Sequence, residues 1–113
     1  MIKQIEKVLD VMKADYRKRS IRSADAIIMT KMGAEYDDGL EIKEGIRYYK
    51  IICNNDHQRR VAGFVVKAGH VKFKEGDLLK AATWAAPAKN FARGNVFDEK
   101  SFKMGSVRWT GIG

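Results

Sequence analysis

Two short segments, Ile46–Cys53 and Arg60–Lys67, constrain this chain more than any other part of it. Both are rich in β-branched and aromatic residues, and Asn54-Asn55-Asp56-His57-Gln58 between them is turn chemistry, so they predict a β-hairpin with a loop of about five residues. In the second segment Val61, Gly63 and Val65 alternate with Ala62, Phe64 and Val66. In the first, Tyr49, Ile51 and Cys53 alternate with Tyr48, Lys50 and Ile52. Neither strand has a clean polar face, so both sides of the sheet need cover. Helices can cover one side. The other calls for the C-terminal stretch or a second subunit. Gly63, inside a strand, predicts a bulge or the close approach of another chain segment.

The N-terminal cover is legible. Ile2, Ile5, Val8, Leu9, Met12 and Tyr16 recur at three- and four-residue steps, which predicts an amphipathic helix over residues 2–18. Ser20 or Ser23 then reads as the cap of a second helix over Ala24–Met32, closed by Gly33, although Ile27-Ile28 leaves a strand open. Tyr36-Asp37-Asp38-Gly39 reads as a turn, and Glu41–Glu44 as a short edge strand.

After the hairpin, Ala68-Gly69-His70 and Glu75-Gly76-Asp77 are turns. Leu78–Ala86 reads either as a third strand ending near Ala82 or as a short helix capped by Asp77. Pro87 bars a regular helix across Gly76–Phe97 and pushes Ala86 to an extended conformation. Thr83–Asn95 is therefore expected to be an irregular ordered loop anchored by Phe91, Val96, Phe97 and Phe102. Ser106–Thr110 reads as a last short strand. The expectation is one α+β domain over residues 1–113, with two N-terminal helices (within 1–33) packed on an antiparallel sheet of three to five strands and an ordered C-terminal loop (within 40–113).

Charge narrows the partners. The net charge is +8, and residues 80–113 alone hold six basic and two acidic side chains. A balance of this sign favours a polyanion, because each cation placed on a phosphate releases a counterion. The C-terminal cations Lys80, Lys89, Arg93 and Arg108 are interleaved with Trp84, Phe91 and Trp109, and Asn95 lies among them. Cations for phosphate and rings for stacking are what single strands and nucleotides use. The competing structural reading has Trp84 and Phe91 pinning the loop to the core. A second basic patch, Arg17, Lys18, Arg19 and Arg22, either grips phosphate or simply ends a helix with favourable charge.

Catalytic chemistry finds no support. Cys53 and His57 are the only cysteine and histidine close in sequence, and Cys53 reads as a small buried hydrophobe rather than a nucleophile. One cysteine and two histidines fall short of a zinc site, and Asp37-Asp38 is a weak metal signal, so neither metal nor cofactor is expected. A single cysteine and no apolar run of membrane-spanning length point to a reducing cytoplasm and no membrane.

The stretch Gly-Asp-x-x-Lys-Ala-Ala-x-Trp-x-Ala-Pro-Ala-Lys, followed by Ala-Arg-Gly-Asn-Val-Phe-Asp, resembles a group of small uncharacterised bacteriophage proteins. In that group a Phe-Val strand, here Phe64–Lys67, precedes the motif, and the match runs roughly from Tyr48 to Asp98. By position it singles out Lys80, Trp84, Pro87, Lys89, Arg93, Gly94 and Asn95. The resemblance implies a phage accessory protein acting in the cytoplasm of an infected bacterium. Such proteins bind nucleic acid, bind nucleotide signals or inhibit a host protein, and the resemblance does not choose among these. The leading expectation is non-enzymatic binding of nucleic acid or nucleotide. The alternative is a protein-interaction module, acting as an inhibitor of a host enzyme or as a small structural subunit. The two-sided strands add a covering loop or a homodimer to the expectations.

Overall fold

The computed structural model describes residues 1–20, 35–55, 58–103, 105–108 and 110–113. Helix α1 (Ile2–Ser20) leads into helical residues 35–39 (α2) and then a five-stranded antiparallel meander. Its strands are β1 (Leu40–Glu44), β2 (Tyr48–Asn55), β3 (Gln58–Val66), β4 (Asp77–Leu79) and β5 (Gly94–Asn95), neighbours in that order. A short helix α3 (Glu99–Lys103) and a separate hairpin of β6 (Val107–Arg108) and β7 (Gly111–Ile112) complete the described chain. The class is α+β, as expected. Only α1 matches the expected pair of N-terminal helices, because the second, over Ala24–Met32, lies outside the described residues.

The central hairpin forms where the β-branched runs predicted it, but with shifted ends. Pairing reaches Asn55↔Gln58, so the connection is two residues rather than five. The first strand begins at Tyr48 rather than Ile46, because Gly45 turns the chain and its N–H donates to Tyr48 C=O at 2.8 Å. Ile46 is left 96% exposed at this turn.

The position of Gly63 predicts a bulge or a close approach, and it marks both. The register steps from Ile51↔Gly63 to Ile52↔Val61, leaving Ala62 as the extra residue of a bulge. A side chain at Gly63 would sit 2.5 Å from Ile112 Cδ1, so β7 packs where only glycine leaves room. The bulge also corrects the predicted alternation. Ala62 joins Val65 in one core, while Val61 packs with Phe64 and Val66 in the other.

Each face of the sheet therefore has its own core. On one, Ile5, Val8, Leu9 and Met12 of α1 meet Ile51, Cys53, Val65, Leu78 and Val96, closed by Phe102, Val107 and Ile112 from the C-terminal elements. The side chains at positions 5, 8, 9 and 12 are all buried, as the three- and four-residue spacing requires, and each contributes about 1.5–3 kcal/mol. The other core holds Phe64, Val66 and Leu79, covered by Tyr48, Val61, Phe73, Ala81 and Ala92.

The predicted turn at Tyr36–Gly39 is helical instead. It is held there by burial of Tyr36, whose ring stacks on Tyr16 at 4.3 Å and 1°, and by an ion pair between Arg17 and Asp37. Of the last predicted strand, Ser106–Thr110, only Val107–Arg108 pairs, as β6, and its partner β7 lies beyond it, where Gly111 (φ 132°) packs so close that a side chain would sit 2.5 Å from the Ala62 carbonyl oxygen.

The stretch around Pro87 is an irregular hairpin. It leaves along β4 and returns along β5, with Asp77↔Asn95 and Leu78↔Gly94 paired. Strand, not helix, is the outcome for its start. Regular pairing ends at Leu79, and a single bridge joins Ala81 to the buried Pro87. The tip, residues 82–86, is tied by Ala82 and Thr83 N–H donating to Ala86 C=O and by the Thr83 hydroxyl accepting from Ala85 and Ala86 N–H. Gly76 opens the stretch at φ 87°, and a side chain there would meet Val96 and Phe97 at 2.8 Å.

Candidate nucleic-acid interface

The tip of that hairpin lays Trp84 over the second face of the sheet. The ring stays 46% exposed and has two cations against it: Lys50 Nζ at 4.7 Å and the Arg59 guanidinium at 5.5 Å from the ring centre. Lys50 Nζ also lies 5.8 Å from the Phe64 ring centre, so the ammonium stands within reach of both rings. Directly opposite Lys50 in the ladder stands Lys43 of β1. Cross-strand partners share a face, so Lys43, Lys50 and Arg59 form one basic patch beside the tryptophan.

Among the described residues one carboxylate answers it. Glu41, two residues from Lys43 on the same face, accepts from Arg59 at 3.0 Å and from Asn54 Nδ2 at 3.4 Å. Those bonds hold its carboxyl below the usual carboxylate range. Neither Lys43 nor Lys50 makes a salt bridge among the described residues, although Glu41 attracts Lys43 through space. Like charges directly opposite in a sheet destabilise it by roughly 0.2–1 kcal/mol. The pair thus costs stability in the free protein, and an anion placed between the two ammonium groups relieves that cost.

A clasp beside the patch fixes the rest of this face. His70 Nδ1 accepts from the backbone N–H of Lys72 (3.1 Å) and Phe73 (3.2 Å). Two N–H donors at Nδ1 place the ring proton on Nε2, which donates to Tyr48 Oη at 2.8 Å. The clasp holds Phe73 on the second core and leaves Val71 wholly exposed.

The residues singled out from sequence do not gather into one pocket. Trp84 is at the site, partnered by Lys50 and Arg59 rather than by Lys89 and Arg93. Arg93 folds back on its own loop, its guanidinium 3.9 Å from the Phe91 ring centre and bonded to Asn90 Oδ1 and Phe91 C=O. Lys89 is exposed, and its carbonyl accepts from the Lys72 ammonium. Asn95 clips the hairpin, donating to Glu75 C=O and Asp77 Oδ1 and accepting from Phe97 N–H. Lys80 and Arg108 share a shallow hollow of about 450 Å³ with Ser106 and Thr110, apart from the tryptophan. Arg60, next to Arg59 on β3, donates to the Thr110 carbonyl. The two basic features therefore lie back to back across that strand.

In the second patch, Arg17 is ion-paired to Asp37, and Arg22 lies outside the described residues, as do the side chains of Lys18 and Arg19. Trp109 and His57 also lie outside them. Cys53 is buried, and burial pushes its thiol up, away from the reactive thiolate. Among the described residues no three metal-ligating side chains cluster, and no helix is long and apolar enough to cross a membrane.

Lys43, Lys50 and Arg59 carried no signal in the linear sequence. They are separated by up to sixteen positions and meet only through the β1–β2–β3 register. The usable clue was Gly45, which makes Glu41–Glu44 the hairpin partner of the following strand and sets Lys43 against Lys50.

The fold and this site define an α+β protein with a five-stranded antiparallel meander, one face sealed by helices and the C-terminal hairpin and the other, among the described residues, half-open and basic. The chain belongs to a family of unknown function (DUF7717), whose model matches residues 1–112. No curated protein and no solved structure matches it.

Proposed function

We propose that the protein binds single-stranded nucleic acid, without catalysis, on the half-open face of its sheet. The observation that carries this is the exposed Trp84 ring with Lys50 and Arg59 against it and Lys43 opposite Lys50. A base stacks on the free part of the indole while the ammonium groups meet the flanking phosphates. Stacking of this kind is worth about 1–3 kcal/mol per base and tolerates any base. The +8 net charge adds a long-range attraction to any polyanion. The resemblance of Gly76–Asp98 to small bacteriophage proteins supports a role as a phage accessory factor in the cytoplasm of an infected bacterium. A labelled single-stranded oligonucleotide titrated at 50 mM salt tests the reading. Binding that weakens steeply with added salt and exceeds binding to a duplex supports it, and no binding at that salt removes it.

A second reading rests on a different surface. Phe91 and Phe97 are 58% and 55% exposed, and Arg93 is stacked on Phe91. Aromatic rings with arginine are the composition of protein-interaction hot spots. A host protein captured from nuclease-treated lysate, and lost with Phe91→Ala, supports this reading.

A further inference from the structure

Strand β1 is an edge: β2 lies on one side, and among the described residues no strand pairs with the other. The direction of its backbone groups follows from the turn. Gly45 N–H donates to Tyr48 C=O, one step beyond the Glu44↔Tyr49 pair. Hydrogen-bonded positions alternate along an antiparallel ladder, so Glu41 and Lys43 also turn their backbone groups toward β2. Those of Leu40, Ile42 and Glu44 turn outward, unsatisfied by the ladder.

The side chains make this edge self-complementary. The strand reads Leu-Glu-Ile-Lys-Glu. Laid antiparallel on a copy of itself with Ile42 opposite Ile42, it sets Glu41 of each chain against Lys43 of the other. The outward backbone groups then meet as three hydrogen-bonded pairs, Leu40 with Glu44, Ile42 with Ile42, and Glu44 with Leu40. Sliding the copy to centre on Glu41 puts glutamate opposite glutamate, and centring it on Lys43 puts lysine opposite lysine. Charge therefore selects one register.

The two charged side chains are available. Lys43 is exposed and makes no salt bridge among the described residues. Its neighbour across the ladder is the like-charged Lys50. Glu41 spends Oε2 on Arg59 and Asn54 and keeps Oε1.

We infer that β1 pairs with β1 of a second copy about a twofold axis through Ile42, joining two five-stranded sheets into one of ten strands. The interface is isologous, the commonest closed arrangement for a homo-oligomer. Because the axis runs perpendicular to the sheet, both basic faces lie on the same side. That consequence rests on the proposed function, while the pairing itself does not.

Light scattering on the full chain without nucleic acid tests the pairing, so its outcome is independent of the binding reading. The wild type is expected to dimerise reversibly on concentration and less so at high salt. Glu41→Lys alone sets lysine against lysine across the axis, and Lys43→Glu alone sets glutamate against glutamate, so each variant is expected to stay monomeric. An equimolar mixture of the two restores the dimer, because the lysine at position 41 of one chain faces the glutamate at position 43 of the other. The double variant E41K/K43E in one chain restores it as well. A wild type monomeric at its highest soluble concentration, single variants that still dimerise, or a mixture that stays monomeric overturns the inference.

Discussion

The two faces of the sheet are covered by different means. One is sealed by α1, α3 and the β6–β7 hairpin, with Phe102, Met12 and Ile112 closing over Ile51 and Val65. The other is covered at one end by Phe73, Ala81 and Ala92 and left with Lys43, Lys50, Arg59 and a half-exposed Trp84 at the other. The sealed face follows from burying apolar area. The half-open face keeps a like-charge pair that costs stability in the free monomer. The contrast separates residues that stabilise the fold from residues positioned for a partner.

The largest expected effect falls on the sealed face. Phe102→Ala removes a fully buried ring and should cost about 3–5 kcal/mol in denaturant unfolding, with nucleic-acid affinity unchanged for the folded fraction. Trp84→Ala should do the reverse. Affinity for a single strand falls by about 1–3 kcal/mol, while stability changes by no more than about 1 kcal/mol. A Trp84→Ala variant that binds normally but unfolds easily would make the indole an anchor instead. Lys43→Gln sharpens the contrast further. Removing the like-charge pair should raise stability by about 0.2–1 kcal/mol while weakening binding, opposite signs that thermal melts and titrations can each read.

Two pH effects, both on the sealed side, are smaller. Burial raises the Tyr36 phenol above its ordinary value of 10.0. A raised folded value means this contribution is complete below that pH and is lost as the pH climbs past it. Alkaline unfolding followed by circular dichroism should therefore flatten in Tyr36→Phe. Glu99, bonded to Lys7 of α1 and to Lys103, is held at about 2 against an ordinary 4.5. A lowered folded value means its contribution is present above 4.5 and fades as the pH falls toward 2. Glu99→Gln should make the acid limb of stability shallower across that window, a slight effect because the pair is exposed.

The contrast also explains what could be read from the chain. The helical spacing of Ile5, Val8, Leu9 and Met12 and the β-branched runs of β2 and β3 are local patterns, so α1 and the central hairpin were legible. Gly63 pointed to a bulge or a close approach, and both occur, the second with Ile112. The need for cover on both faces was legible too, and the C-terminal stretch supplies it. A strand within Ser106–Thr110 was legible and is β6, but helix α3 and β7 were not legible, because segments this short are held by Phe102 and Ile112 in the core rather than by propensity. Trp84 stood out as a single residue, but its cation partners Lys50 and Arg59 come from two strands and are assembled by register. Arg93 is near it in sequence but folds back on its own loop, where it finds a ring and a carbonyl, and the cations over the indole are Lys50 and Arg59 rather than Lys89.

The central claim is that the half-open face meets phosphate. The most direct measurement is the salt dependence of single-strand binding by the wild type and by Lys43→Gln, Lys50→Gln and Arg59→Gln. Each cation that contacts a phosphate contributes about 0.7 to the slope of log affinity against log salt. The account predicts that each substitution lowers the slope by about that amount, and that Lys89→Gln leaves it nearly unchanged. Slopes unaffected by the three face substitutions but reduced by Lys89→Gln would contradict it.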